Sequence, residues 1–175
     1  MTIALTGEAP PLAAGADAAS PRVVLFDFDG VLVHGDSFAL FMRDRYRHSP
    51  WRKLLALLSA PLLLLQLPFS RRLPIRTLVR IALLGLGEQR YQGVANAFAA
   101  TLVRRPKQFC RDGLQVLRRH QAAGDRVIVV TGCEHTLASG ILQQLGLTGL
   151  EVLASRLRPG WLGMRLLHHN VGQRK

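Results

Sequence analysis

The chain has 175 residues, 49% of them hydrophobic, which suits one domain with room for an inserted lobe and argues against wholesale disorder. Its 23 Lys and Arg outnumber 11 Asp and Glu, and the formal net charge of +12 calls for an anionic partner: nucleic acid, an acidic membrane surface or a phosphorylated substrate. Aromatic residues at 6% speak against a base-stacking nucleic-acid partner, two cysteines cannot build a disulfide framework or a four-cysteine zinc site, and no run reaches the ~18 apolar residues of an ordinary membrane span.

Residues 1–20 are mostly small, with no basic residue before Arg22, and read as a flexible leader rather than a secretory signal. Val23-Val24-Leu25-Phe26 is an apolar run ending abruptly in Asp27-Phe28-Asp29-Gly30, the pattern of a buried parallel strand entering a loop. Residues 37–47, 51–67, 73–86 and 88–103 read as helices, with breaks at Pro50, Pro68 and the glycines Gly85 and Gly87. One helix suffices for a parallel crossover, so four predict a helical cap over 37–106 inserted after the first strand.

Residues 107–121 read as the helix returning to a second strand, Val127-Ile128-Val129-Val130, which ends in Thr131-Gly132. A helix over 135–145, closed by Gly146, leads to a third strand at 150–154. Residues 156–167, with Pro159-Gly160, predict a β-hairpin. The fold class is therefore α/β: a Rossmann-like parallel sheet with helices on both faces, its core drawn from residues 21–36 and 107–175.

Asp27 and Asp29 are the sharpest chemical signal. Two carboxylates at i and i+2, where a strand meets a glycine turn, stand where open α/β sheets bind ligands, and backbone amides there can face a phosphate. Such a pair also suits Mg2+, which takes few protein oxygens and completes its shell from water and phosphate. Asp and Gly equally favour plain turns, so the tetrapeptide alone leaves both readings open. Thr131-Gly132 by itself is ordinary turn chemistry, and a Lys at position 175 an ordinary solvated charge. His168 and His169 are adjacent on an extended segment and point to opposite faces, which disfavours a shared metal. Cys110 and Cys133 read as packed thiols.

The segment 54–67 contains nine leucines interrupted by Ala56, Ser59, Ala60, Pro61 and Gln66. A helix over it would be about 21 Å long against a hydrocarbon core of about 30 Å, too short to cross. Apolar on all sides, it must be buried in the cap or in lipid. Trp51, Arg52 and Lys53 precede it and Arg71, Arg72, Arg76 and Arg80 follow, and basic flanks favour an anionic leaflet. Both flanking strands belong to one sheet, so in-plane or re-entrant insertion is the expected mode.

Phe26-Asp27-Phe28-Asp29-Gly30-Val31-Leu32 resembles the first motif of the haloacid dehalogenase superfamily of phosphotransferases. Val129-Val130-Thr131-Gly132 resembles its second motif, and Lys175, after Asn170-Val171-Gly172, is placed like the Lys of its third. Helices between the first two motifs resemble the cap of the phosphoserine-phosphatase-like branch. The Leu-rich segment with basic flanks and the stretch Ser155-Arg-Leu-Arg-Pro-Gly-Trp161-Leu-Gly-Met-Arg165 are most similar to the phosphatidylglycerophosphatase C type, a bacterial lipid phosphatase. The resemblance runs from about Arg22 to the last residue.

It implies that Asp27 is the nucleophile and Asp29 the general acid and base. It further implies that Gly30, Thr131, Gly132 and Lys175 hold the phosphoryl group, and that Mg2+ sits on Asp27 and Asp29. The implied partners are an anionic phospholipid substrate and a membrane surface, at the cytoplasmic face of a bacterial inner membrane. The family's fourth, acidic motif follows the Lys, and this chain ends before it. The expectation is a fold whose C-terminal part is missing and a chain of feeble activity. A soluble phosphatase of phosphoserine type and a non-catalytic membrane-binding relative are the competing readings.

Overall fold

The computed structural model describes residues 22–70, 72–160 and 163–168, so the leader over 1–20 and Lys175 lie outside the described residues. The apolar run after Arg22 forms β1 (Val23–Asp27), which pairs in parallel with β2 (Arg126–Glu134) from Val23 opposite Arg126 to Asp27 opposite Val130. β2 pairs in parallel with β3 (Glu151–Gly160), and β4 (Gly163–His168) returns antiparallel to β3, giving the sheet order β1-β2-β3-β4. This is an α/β fold with a mostly parallel sheet.

Between β1 and β2 lie α1 (Ser37–Arg47), α2 (Pro50–Leu58), α3 (Ala60–Gln66), α4 (Arg72–Ala82), α5 (Glu88–Val103), a single 3-10 turn (Pro106–Gln108) and α6 (Arg111–Ala122). α7 (His135–Gln144) connects β2 to β3. Three sequence expectations are corrected. The run read as one helix over 51–67 is two, because Pro61 has no N–H to continue the ladder and the chain resets at Ser59, the C-cap of α2 and N-cap of α3. The third strand and the first arm of the hairpin are one continuous strand, β3, because its N-terminal half pairs with β2 and its C-terminal half with β4. The second strand runs past Thr131-Gly132 to Glu134, with its register against β3 shifted between Val130 and Glu134.

A further correction concerns the faces of the sheet. The crossovers β1 to β2 and β2 to β3 step in the same direction, and right-handed connections put α6 and α7 on one face. Phe26, Val127 and Val129 pack there against Leu114, Leu117, Leu137 and Ile141. The Phe26 ring meets His120 of α6 edge-on at 6.1 Å. On the opposite face the register aligns Val23, Leu25, Val130 and Leu153; Val23 is 59% and Leu25 65% exposed, so no described helix covers them. The inserted helices are not packed apart from the sheet. Phe41 of α1 and Tyr91, Phe98 and Leu102 of α5 belong to the same cluster as Val127 and Val129, with Phe41 stacking edge-on against both Tyr91 and Phe98.

The loop after β1 is fixed at several points. Gly30, at φ +88°, makes a turn in which Leu32 and Val33 N–H donate to the Phe28 carbonyl, and the Cys110 N–H donates to Leu32 O at 3.1 Å. α6 then passes so close to this loop that a Cβ on Gly113 would stand 2.8 Å from Val31 O. Gly113→Ala should therefore lower stability by about 1–3 kcal/mol, read as a smaller urea midpoint with an unchanged slope. Unaltered stability would show that α6 can retreat from the loop without loss.

Candidate active site

Asp27 closes β1 and is exposed, with one carboxylate oxygen accepting from the Phe28 N–H at 2.9 Å. Two residues on, Asp29 is half-buried and both of its oxygens are engaged. Oδ1 accepts from the Ser37 N–H at 2.9 Å, and Oδ2 from the Thr131 hydroxyl at 3.2 Å. Ser37 starts α1, and its amide is one that a helix N-terminus leaves without an intrahelical acceptor. Asp36 caps the same end, its side chain accepting from Ala39 N–H at 2.9 Å. Asp29 thus joins the ends of β1 and β2 to the start of α1.

Thr131 is fully buried, and its hydroxyl oxygen also accepts from the Cys133 N–H at 2.9 Å. As seated, that hydroxyl serves Asp29 rather than an open cavity. The Gly132 carbonyl accepts from the Ser155 hydroxyl at 2.8 Å, which ties β3 to the same strand end. Gly30 lies in the turn beside the two carboxylates. The structure brings Asp27, Asp29, Gly30, Thr131 and Gly132 to one edge of the sheet; Lys175 and His169 lie outside the described residues.

Sequence reading missed four residues that hold this edge together: Ser37, Ser155, Glu134 and Tyr91. Glu134 is buried at the end of β2, where its Oε2 accepts from the Leu137 N–H at 3.0 Å and so caps α7. The same oxygen accepts from the Tyr91 hydroxyl of α5 at 2.6 Å. Burial first, and the adjacent Glu134 charge second, push the Tyr91 phenol far above its ordinary range, so it stays protonated and donates. Glu is not among the side chains that ordinarily mark an N-cap, and its pairing with Tyr91, 43 positions away, leaves no trace in the local sequence. Burial likewise pushes the Cys133 thiol up, with Ser37 beside it pulling the other way, so Cys133 is a packed thiol.

Among the described residues no group of three His, Cys, Asp or Glu side chains comes together. The groups at the strand end that would hold a cation are nevertheless all oxygen: the Asp27 carboxylate and, since both Asp29 carboxylate oxygens are engaged, the Asp29 main-chain carbonyl. Two hard oxygens with no sulfur or imidazole fit Mg2+, which leaves much of its octahedron to water and substrate.

Residues 24–173 match the haloacid dehalogenase-like hydrolase family. No curated protein matches the chain. Among solved structures, a protein of unknown function from Bordetella pertussis Tohama I is similar at a TM-score of 0.59 and 18% identity, over 84% of this chain and 67% of that one. A cytosolic 5'-nucleotidase IIIB bound to cytidine superposes at a TM-score of 0.47 and 11% identity, over 88% of this chain and 54% of that one.

Removing the phenol in Tyr91→Phe leaves a buried Glu134 oxygen short of one donor. The expected cost is about 1.5–3 kcal/mol in unfolding free energy, measured by denaturant titration. A loss below about 0.5 kcal/mol would mean that this bond does not bind α5 to the strand.

Proposed function

The chain belongs to the haloacid dehalogenase-like hydrolase family, and on that footing we propose that it hydrolyses a lipid phosphate monoester of the phosphatidylglycerophosphate type. The observation that carries the chemistry is the Asp29–Thr131 hydrogen bond. It joins residues 102 positions apart and sets two carboxylates and a hydroxyl at the carboxyl ends of adjacent parallel strands.

In the proposed reaction an Asp27 carboxylate oxygen attacks phosphorus, and the bond from phosphorus to the lipid alkoxide breaks, leaving an aspartyl-phosphate. In its protonated form Asp29 gives that proton to the departing alkoxide, which leaves as the alcohol. It then takes one from the water that attacks the same phosphorus, and inorganic phosphate leaves as Asp27 is regenerated. Asp29 is oriented for this by the Ser37 amide and Thr131. When Thr131 turns its hydroxyl to an entering phosphoryl oxygen, one Asp29 oxygen is released to exchange a proton. Gly30 and Gly132 are assigned phosphate-binding roles from their places in the first and second motifs, with the Gly30 N–H itself donated to Val33 O at 2.7 Å, and Lys175 from its place in the third. Mg2+ held by Asp27 and the Asp29 carbonyl would offset the repulsion between carboxylate and phosphate.

The lipid part of the proposal is supported by the α2–α3 segment. Leu57 and Leu58 are each 69% exposed, Leu64, Leu65 and Phe69 are also exposed, and α3 buries no residue. A contiguous apolar patch of this kind marks an interaction surface. No described helix is long and apolar enough to cross a membrane. In-plane attachment to an anionic leaflet, at the cytoplasmic face of a bacterial inner membrane, is the placement we propose.

Asp27→Asn should reduce phosphate release by about a thousandfold or more while leaving co-sedimentation with anionic vesicles unchanged. Retained turnover would remove Asp27 from the nucleophile's role. Replacing Leu57, Leu58, Leu64 and Leu65 with Ser should release the protein from vesicles while turnover of a soluble aryl phosphate survives. Undiminished vesicle binding would overturn the membrane reading without touching the chemistry.

A further inference from the structure

Two guanidinium groups at the foot of the Leu-rich segment, those of Arg45 and Arg52, each bury an Nε that has no hydrogen-bond acceptor. Arg52 of α2 is only 8% exposed; one terminal nitrogen donates to the Leu84 carbonyl at 3.2 Å, and its Nε is buried with no acceptor. Arg45 of α1 is half-buried, and its Nε is likewise buried with no acceptor. Among the described residues neither forms an ion pair, and Asp44, the carboxylate beside Arg45, sits 3.3 Å from His48 Nδ1. Burial, followed by the charge of Arg52, holds the Arg45 guanidinium below its ordinary value, with Asp44 opposing. Tyr46, the other polar group there, donates its hydroxyl to the Leu78 carbonyl at 2.7 Å. Burying part of a cation without an acceptor or counter-charge is costly, and an anion seated against it would offset that cost.

The surroundings say what kind of anion. The Arg52 guanidinium carbon lies 4.7 Å from the centroid of the Trp51 ring, and Trp51 itself is half-exposed, as aromatics at a membrane interface are. Exposed leucines of α2 and α3 begin at the next turn. Guanidinium forks match the paired oxygens of a phosphate. The site is separate from the reaction centre, since Arg45 stands about two turns along α1, about 12 Å, from the Ser37 amide that meets Asp29.

We propose that Arg45 and Arg52 form a receptor for the phosphate of an anionic lipid headgroup, which anchors the foot of the α2–α3 segment at the leaflet surface. This rests on the membrane reading above and adds to it a specific site. Trp51 seats the site at interface depth, and the leucines enter the acyl region beyond it.

The test uses the full chain and charge-conserving substitutions. Arg45→Lys/Arg52→Lys keeps the net charge but loses the forks, and Arg43→Lys/Arg47→Lys makes the same change at exposed positions of α1. Binding is measured to vesicles of phosphatidylcholine alone and with phosphatidylglycerol, a diester that is not a monoester substrate. The buried pair should lose about tenfold in affinity for the phosphatidylglycerol vesicles, equivalent to about 1.4 kcal/mol, with unchanged binding to phosphatidylcholine. The exposed pair should bind like wild type. Equal losses from both variants, or no loss from the buried pair, would overturn the site. A wild type that binds both vesicles equally would overturn headgroup recognition and leave the membrane reading standing. A wild type that binds neither, while inorganic phosphate changes Trp51 fluorescence in a Trp161→Phe background, would assign the pair to a free anion and overturn the lipid source. Should the double variant melt early, the half-buried Arg45→Lys alone is put through the same measurements, with the same outcomes deciding.

Discussion

The hydrogen bond from Thr131 to Asp29 depends on two strand ends meeting in one register, and most of the architecture serves that meeting. β1 is only five residues long and half-covered, so it cannot hold Asp27 and Asp29 in place by itself. Its partner β2 is long and largely buried, and pairing Asp27 with Val130 leaves Thr131 one residue beyond the matched positions. The turn through Gly30 then carries Asp29 back towards Thr131, and α6 lies against that turn with only a glycine's width between them. Geometry of this kind is over-determined, as the proposed chemistry of these carboxylates requires.

The inserted helices contribute to the same end. α1 brings the Ser37 amide to Asp29, and α5 brings the Tyr91 phenol to Glu134, three residues past Thr131. Phe41, Tyr91 and Phe98 place these helices in the core that also contains Val127 and Val129, so a shift in the insertion would be felt at the strand ends. The insertion is therefore both part of the scaffold and, through α2 and α3, the source of the exposed apolar surface.

Charge is arranged with the same economy. Two of the carboxylates, Asp29 and Glu134, are spent on backbone amides and hydroxyls, and Asp36 caps α1. Few remain to neutralise the cations of the inserted helices, where the half-buried Arg45 and the buried Arg52 form no ion pair among the described residues. Excess positive charge thus lies in the same inserted helices as the exposed leucines, the combination on which the proposed attachment to an anionic leaflet rests.

Local pattern was enough for much of this. Apolar runs stopped by Asp-Phe-Asp-Gly and by Thr-Gly marked β1 and β2, because strand period and turn chemistry act over a few residues, whereas only the resemblance to the haloacid dehalogenase motifs put Asp27, Asp29, Thr131 and Gly132 into one chemical hypothesis. The break at Ser59 was also written locally, in Pro61, although the leucines on either side obscured it. Contacts distant in the chain were not legible. The bonds from Ser37 to Asp29, Ser155 to Gly132 and Tyr91 to Glu134, the continuity of β3 through both of its pairings, and the burial of Arg52 all depend on which surfaces meet. The bare face of the sheet belongs there too. A strand's sequence reports that it is apolar, but only the direction of successive crossovers decides which of its faces the helices cover.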